Sequence, residues 1–179
     1  MLFADNFEDV EAIATYDVLT RGKEEVDAVS MMPTKEVKAK CGHLVKVSKH
    51  ISEIDYTKYD CLIIPGGPAS FTILSEMELV NEIITYFVKA NKLVAAICAA
   101  PFLIGRLGYL KNENWTVHPG FESYIIGGAN HQEEGVVASG NFITAKSMYY
   151  SIEFALKIYE HFHNKDKRII LEESLKGNK

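Results

Sequence analysis

Cysteine is scarce in this sequence: only Cys41, Cys61 and Cys98 occur among 179 residues. An odd number of cysteines argues against a disulfide framework, and no two of them have the CxxC spacing of a zinc or redox site. We therefore expect free thiols in a reducing compartment, and no metal site.

Basic clusters and long apolar runs are also lacking. The net charge is −5 and the pI is near 5.7, so the charge pattern of a nucleic-acid-binding protein is missing. No apolar run is long enough to cross a bilayer, and the first residues do not resemble a signal peptide. The sequence predicts a cytoplasmic protein with no nucleic-acid or membrane partner.

The remaining composition is that of one ordinary globular domain, here spanning residues 1–179, with 47% hydrophobic and 11% aromatic residues. Short β-rich runs alternate with helical patterns, which is typical of an α/β domain with a mostly parallel sheet. The predicted helices cover residues 8–21, 78–91, 100–107 and 149–163. The predicted strands include 25–31, 60–64 and 93–97, and predicted hairpins join 36–40 to 43–48 and 135–139 to 142–145.

Cys98 follows the most apolar predicted strand, and Pro101, a residue favoured in the first turn of a helix, comes soon after. A thiol at such a strand-to-helix turn lies near unpaired N–H groups and the positive end of the helix dipole, and both favour the thiolate. A buried structural cysteine is the alternative. Cys98 lies at the carboxyl end of a predicted strand, where α/β folds bind ligands, and this position favours the nucleophile over the structural cysteine. Cys61 is expected in the core, and Cys41 is expected to be an incidental turn residue.

Three carboxylates, Glu8, Asp9 and Glu11, open the first predicted helix. Acidic residues stabilise a helix N-terminus, which accounts for Glu8 and Asp9. Glu11 shares the apolar face of Val18, so partial burial would raise its pKa. A protonated Glu11 would donate to a thiolate or exchange protons with a substrate, and dipole complementation remains the alternative.

The run Pro65-Gly66-Gly67-Pro68 closes another predicted strand. Glycine allows close approach of the backbone to a ligand, and its N–H groups suit an oxyanion hole, although a plain turn fits equally well. The spacing of a phosphate-binding loop is not present.

Two histidine positions invite a functional interpretation. His118 follows a short predicted strand, where a packed or surface histidine is the ordinary interpretation. His131-Gln132-Glu133 has the H-x-E spacing of class I glutamine amidotransferases. It lies in a polar loop, however, and Cys98 lacks the flanking glycines of that family, so we interpret this motif as unrelated to catalysis.

Four segments together resemble the ThiJ/PfpI superfamily, in particular the branch of the Parkinsonism-associated deglycase. They occur in order over nearly the whole chain: residues 5–11 (DNFEDVE), 63–67 (IIPGG), 95–99 (AAICA) and 151–156 (SIEFAL). The resemblance implies a flavodoxin-like three-layer sandwich with a mostly parallel central sheet. It also implies a homodimer that needs no cofactor.

By position, the resemblance assigns Cys98 as the reactive cysteine, Glu11 as the glutamate hydrogen-bonded to it and His118 as the nearby histidine. Gly67 and Ala99 match the backbone donors beside the sulfur. The protease-like branch has histidine directly after the cysteine. Ala99 stands there in this sequence, so peptidase activity is not expected.

The resemblance also assigns residues to the pocket and the dimer interface. Arg21 falls near an interface arginine, while His43 stands at a second such position. Gly66, Met148 and Tyr149 are assigned to the pocket, where Ser147-Met148-Tyr149-Tyr150 replaces a Gly-Pro-rich segment of the family. These bulkier side chains would change the pocket size and the substrate range.

The implied activity is that of a cysteine-dependent glyoxalase or deglycase acting on small dicarbonyls such as methylglyoxal. The Cys98 thiolate would add to the aldehyde, and Glu11, with His118, would move a proton through an enediol. Two other hypotheses stay open. One is an oxidant-responsive protective protein, in which Cys98 forms a sulfinate stabilised by Glu11, and the other is a redox-linked chaperone.

Overall fold

The computed structural model describes residues 1–178, which form short strands and six α-helices. The helices are α1 (Asp9–Arg21), α2 (Pro68–Thr72), α3 (Glu78–Lys89), α4 (Pro101–Gly105), α5 (Ser151–Phe162) and α6 (Lys165–Leu175). The strands are β1 (Leu2–Phe3), β2 (Val29–Ser30), β3 (Glu36–Lys38), β4 (Leu44–Lys46), β5 (Lys49–His50), β6 (Cys61–Ile64), β7 (Leu93–Ile97), β8 (Asn114–Trp115), β9 (Ala129–Asn130), β10 (Val136–Ser139) and β11 (Phe142–Ala145).

The central sheet is mostly parallel, as the sequence predicts. Strand β7 is parallel to both β6 and β11, so that Ala95 lies opposite Ile63 on one side and Ile143 on the other. Strand β10 runs antiparallel to β11 and closes that edge. A second parallel set, with the order β1-β2-β5, continues the layer because β1 lies against β6.

Helices cover the sheet and complete the sandwich. Helix α5 packs on β7, β10 and β11 and also against α1, while α3 packs on β6 and β7. All five residues of β7 are buried, as expected for a central strand with both faces covered. The predicted α/β sandwich is therefore confirmed.

The topology gathers the predicted site residues at one edge of the sheet. Parallel strands end at the same edge, so Gly66, which follows β6, lies beside Cys98, which follows β7. The first turn of α1 comes soon after β1 and brings Glu11 to the same edge.

Some predicted boundaries are wrong for local reasons. Helix α1 begins at Asp9 because the Glu8 carboxylate caps it, accepting the Glu11 N–H at 2.8 Å. The predicted strand 25–31 is reduced to β2, and the predicted helix 100–107 is reduced to α4. The loop predicted at 65–68 already starts α2, since Pro68 occupies a first-turn position that does not require an N–H donor.

Every helix within residues 1–178 is too short or too polar to span a membrane.

Candidate active site

Cys98 sits in a strained backbone conformation between β7 and α4. Its φ is +63°, a left-handed value that non-glycine residues rarely adopt. The Cys98 N–H donates to the Ala145 carbonyl at 2.8 Å, which ties the turn to the end of β11. Strain of this kind concentrates at functional sites, and this strand-to-helix geometry resembles a nucleophile elbow.

Two backbone N–H groups point at the Cys98 sulfur. They belong to Gly67 and Ala99, the two donors that the resemblance assigned. Gly67 has a φ of +84°, and a Cβ there would lie 2.6 Å from both the Asn6 oxygen and the Glu8 nitrogen. Only glycine can therefore place this N–H beside the sulfur.

The Glu11 carboxylate is buried next to the thiol, with 1% of the residue exposed. Its Oε2 accepts the Gly66 N–H at 2.9 Å. Its Oε1 is buried without a hydrogen-bond partner in the described chain, and the neighbouring Cys98 thiol lies close enough to lower the pKa of the carboxyl. An unpaired buried carboxylate oxygen is costly, so a proton held between Glu11 and Cys98 would stabilise the pair.

Gly66 makes the contact between these two side chains possible. A Cβ on Gly66 would lie 2.6 Å from both the Cys98 Cβ and the Glu11 Oε2. Such distances are shorter than any real carbon contact, so a larger residue would push thiol and carboxyl apart.

Burial controls the protonation of Glu11. Desolvation, followed by the repulsion of the Glu8 carboxylate, raises the pKa of Glu11 to about 7. The Cys98 thiol, the Gly66 N–H and Lys40 act in the opposite direction but do not cancel it. A carboxyl with this pKa can both give and take a proton near neutral pH.

The thiol does not behave as the helix-dipole argument predicts. Burial, and next the negative charge of Glu11, raise the pKa of Cys98 to about 12, although the Gly67 and Ala99 N–H groups lower it. The expectation of a readily formed thiolate is thus wrong, because burial, the larger cause, persists whatever the charge of Glu11. Protonating Glu11 removes the repelling charge and leaves the two N–H donors in place.

His118 reaches Cys98 through its backbone rather than its ring. Its N–H donates to the Cys98 carbonyl at 2.8 Å, whereas Nδ1 lies 3.0 Å from the Pro119 oxygen. The residue is exposed, and within residues 1–178 its ring makes no hydrogen bond to Cys98 or Glu11. A catalytic role of His118 therefore remains a prediction that requires its side chain to turn.

The other assigned residues lie further out. Met148 and Tyr149 are exposed in a 3-10 turn that follows β11, whose last residue, Ala145, accepts the Cys98 N–H. Arg21 ends α1, ten residues or about 15 Å from Glu11, and pairs with Asp17. Arg21 thus lies outside the pocket of its own chain, and its interface role remains a prediction.

Sequence reasoning missed the roles of two charged residues at this site. Glu8, attributed only to the helix dipole, is buried, caps α1 and raises the pKa of Glu11. Lys40, in the turn after β3, lowers the pKa of Glu11 although the two residues are far apart in sequence. No spacing pattern would have found Lys40, because a bridge between Phe7 and Ala39 brings it to the site.

The other two cysteines and one group of possible metal ligands are not among the residues that form the Cys98 site. Cys61 is half-buried. Cys41 is exposed, and its backbone N–H donates to the Asp9 carboxylate. His131, Glu133 and Glu134 place ligand atoms within 4.8 Å of one another on a largely exposed loop. They pair among themselves, with His131 Nδ1 at 3.3 and 3.1 Å from the two carboxylates.

The comparison with known families settles the relationship of this chain. The sequence profile of the DJ-1/PfpI family matches residues 1–161. The chain belongs to the DJ-1/PfpI family. The predicted membership of the ThiJ/PfpI superfamily is confirmed.

Curated DJ-1/PfpI relatives carry different functional names. The "Glutathione-independent glyoxalase DJR-1.2" of Caenorhabditis elegans is 32% identical, covering 93% of this chain and 89% of the relative. The "Putative cysteine protease YraA" of Bacillus subtilis is also 32% identical, covering 82% and 87%. "Protein DJ-1 homolog B" of Arabidopsis thaliana is 31% identical over 96% of this chain, which spans 39% of that relative. Membership of the DJ-1/PfpI family does not by itself specify the reaction.

Among solved structures, Toxoplasma gondii DJ-1 in an oxidised form superposes with a TM-score of 0.88. Its sequence is 30% identical, and the match covers 97% of this chain and 95% of that one. The likeness extends the DJ-1 fold over nearly all of the described residues.

Proposed function

We propose that this protein is a cysteine-dependent, cofactor-independent glyoxalase or deglycase-type enzyme for small dicarbonyls. The proposal rests above all on one observation, the buried contact between the Cys98 thiol and a Glu11 carboxyl whose pKa is raised to about 7. A nucleophile and a proton carrier in direct contact are what isomerisation of an α-oxoaldehyde requires.

The proposed reaction begins with a proton moving from Cys98 to Glu11, so that the thiolate forms without leaving two adjacent charges. The sulfur then attacks the aldehyde carbon of methylglyoxal, forming a carbon–sulfur bond, and the aldehyde oxygen takes the proton from Glu11 to give a hemithioacetal. The Gly67 and Ala99 N–H groups stabilise the negative charge during this step.

Glu11 next removes the proton from the former aldehyde carbon and returns a proton to the neighbouring carbon through an enediol. The product of this transfer is a thioester on Cys98. Water cleaves the carbon–sulfur bond, releasing lactate and restoring the thiol. No oxidant or reductant is consumed, because the substrate is oxidised at one carbon and reduced at the next.

The name of the Caenorhabditis elegans relative supports this class of reaction for a chain of similar length. The name of the Bacillus subtilis relative points to proteolysis. We favour the glyoxalase reaction because Ala99 provides no imidazole next to Cys98, and because Glu11, not a histidine, contacts the thiol.

Oxidation of Cys98 is the second candidate function, favoured by a different feature of the site. The same two N–H groups, together with a protonated Glu11, would donate to the oxygens of a sulfinate. The Toxoplasma gondii relative was solved in an oxidised form. Mass spectrometry after graded peroxide treatment tests this idea, which requires dioxygenation of Cys98 before Cys41 or Cys61.

We further propose that the protein acts in the cytoplasm as a homodimer. Val10 and Ile13 lie exposed on α1 and line one surface cavity together with Val45 of the β3–β4 hairpin. An apolar face of this kind is uncommon on a monomer and suits a two-fold interface with a second copy. Arg21 lies at the end of the same helix, α1, and His43 lies in the same β3–β4 hairpin.

The decisive test of the enzyme proposal is formation of lactate from methylglyoxal without any added cofactor. Activity that depends on both Cys98 and Glu11 would support the proposal. A folded, reduced protein that forms no lactate would leave oxidation of Cys98 as the better account.

A further inference from the structure

Four aromatic rings form a continuous cluster near the candidate active site. We define the aromatic cluster as Phe71, Phe102, Phe121 and Tyr124. The ring centroid of Phe121 lies 5.3 Å from that of Phe71, 5.8 Å from that of Phe102 and 6.0 Å from that of Tyr124. Phe102 and Tyr124 are 5.9 Å apart in an edge-to-face arrangement. These distances are those of favourable ring pairs.

Three of the four rings belong to segments that adjoin Cys98, either along the chain or through a residue that hydrogen-bonds it. Phe71 lies on α2, which starts directly after Gly67, a backbone donor to the Cys98 sulfur. Phe102 lies on α4, four residues after Cys98 itself. Phe121 packs edge-on against the His118 ring at 6.4 Å, and the His118 N–H donates to the Cys98 carbonyl. The aromatic cluster therefore borders the residues that surround Cys98.

Two rings of the cluster are open to solvent, one is half-buried and one is buried. Phe102 is buried, while Phe71 is 43% exposed and Tyr124 is 58% exposed. Two large exposed rings above a buried aromatic base form a preformed apolar surface rather than scattered surface residues.

The charges beside the aromatic cluster are already engaged. The Arg106 guanidinium lies 5.7 Å from the Phe102 ring centroid and donates to the Ser75 carbonyl and to Asn81. Glu122 accepts hydrogen bonds from the Gly120 N–H and from Gln132. Arg106 Nε has no partner within the described residues but is buried away from solvent. The exposed surface therefore favours an uncharged apolar ligand over an ionic one.

We propose that the aromatic cluster is a subsite for an aryl group attached to an aldehyde held at Cys98. This inference rests on the proposed function and names its substrate class: arylglyoxals such as phenylglyoxal. In that reaction the Cys98 sulfur adds to the aldehyde carbon, and Glu11 transfers the proton between the two carbons. Water then cleaves the thioester, giving mandelate and the free thiol, with no external oxidant or reductant.

The expected size of the preference follows from ring contacts. A phenyl group meeting two rings of the cluster gains about tenfold in binding over the methyl group of methylglyoxal. The KM for phenylglyoxal should then be about tenfold below that for methylglyoxal. Phe71→Ala and Tyr124→Ala should each raise the phenylglyoxal KM about threefold or more, and leave the methylglyoxal KM unchanged.

Phe162→Ala is the matched control variant. Phe162 is 40% exposed, nearly the same as Phe71, but it ends α5 and lies outside the aromatic cluster. This variant should leave both KM values unchanged. Equal changes for the two substrates in Phe71→Ala and Tyr124→Ala, or no preference in the wild type, would overturn the proposal.

A second measurement tests binding of a phenyl group at the subsite without requiring turnover. The rate of Cys98 alkylation by N-phenyl iodoacetamide is compared with that by iodoacetamide, with exposed Cys41 of the same chain as internal reference. We expect a phenyl preference at Cys98 that Phe71→Ala abolishes. If no dicarbonyl is turned over but this preference holds, the subsite stands and the glyoxalase proposal fails.

Other results of this experiment count against the subsite. Turnover of methylglyoxal without any phenyl preference at Cys98 would overturn the subsite and leave the glyoxalase proposal intact. A change of oligomeric state in Phe71→Ala or Tyr124→Ala, with unchanged phenyl selectivity, would assign the rings to a protein interface instead.

Discussion

The Gly66 N–H donates to Glu11 Oε2 at 2.9 Å, and the missing Gly66 side chain lets that carboxyl touch the Cys98 thiol. One residue thus both orients the carboxyl and makes room for the sulfur. This arrangement places two acids in a buried site where they cannot both ionise at low cost, and the predictions below depend on that coupling.

Glu11→Gln should separate thiol reactivity from turnover. Removing the Glu11 charge removes a cause of the raised Cys98 pKa, so Cys98 should ionise at a lower pH than in the wild type. Turnover should nevertheless fall at least a hundredfold, because an amide cannot carry the proton. The pH dependence of Cys98 alkylation, followed by peptide mass spectrometry, measures the first effect.

The matched control for this comparison is Glu82→Gln, an exposed carboxylate on α3. It should shift neither the alkylation profile nor the turnover. A Glu11→Gln variant whose Cys98 needs a higher pH to react would contradict the repulsion that we assign to Glu11.

The same carboxyl should make folding stability depend on pH. The pKa of Glu11 rises from 4.5 to about 7 on folding, so the folded state holds this proton more tightly. The resulting stabilisation is complete below about pH 4.5 and is lost as pH rises through 7. Between these values the wild type should lose about 3 kcal/mol of unfolding free energy relative to Glu11→Gln. Urea unfolding of both proteins at several pH values checks this, and parallel curves would refute it.

Gly66→Ala should uncouple the pair. The added methyl group would clash with Cys98 and Glu11, costing about 1–3 kcal/mol and abolishing turnover. Gly108→Ala is the control, since Gly108 has a φ of +81° but open space around it, and the strain alone costs about 1–2 kcal/mol. If both variants keep activity once folded, the close approach at Gly66 is not required for the reaction.

Ile13→Glu should convert the proposed dimer into a monomer. Ile13 is exposed on the apolar face of α1, and a charge there would be buried without a partner in the interface. Ile170→Glu, at an exposed site on α6, is the control and should leave the mass unchanged. Sedimentation velocity distinguishes the two, and a wild-type protein that sediments as a monomer would remove this interface from the account.

Local signals account for what the sequence predicts well. The limits of β7 are as predicted because five apolar residues in a row are buried on both faces, and the β10–β11 hairpin pairs as predicted around Gly140. Cys98 and Glu11 meet because each sits at an element end that topology brings to one edge. The elements themselves depend on patterns within ten residues, whereas the meeting of Cys98 and Glu11 depends on the topology of the sheet.

The protonation of the site could not be predicted in the same way. The Cys98 pKa reflects a balance between burial, the Glu11 charge and two N–H groups that come from separate segments. The position of the His118 ring and the influence of Lys40 on Glu11 likewise depend on contacts made by the whole fold. A pKa that depends on several residues far apart in the chain cannot be predicted from a periodic pattern in the sequence.

The most direct test of the central claim is lactate production from methylglyoxal by the reduced protein, in buffer free of cofactors, amines and thiols. The wild type should produce lactate, Cys98→Ala should produce none, and Glu11→Gln should be at least a hundredfold slower while remaining folded. Lactate formation that survives in Cys98→Ala, or a folded wild type that forms none, would contradict the Cys98–Glu11 mechanism.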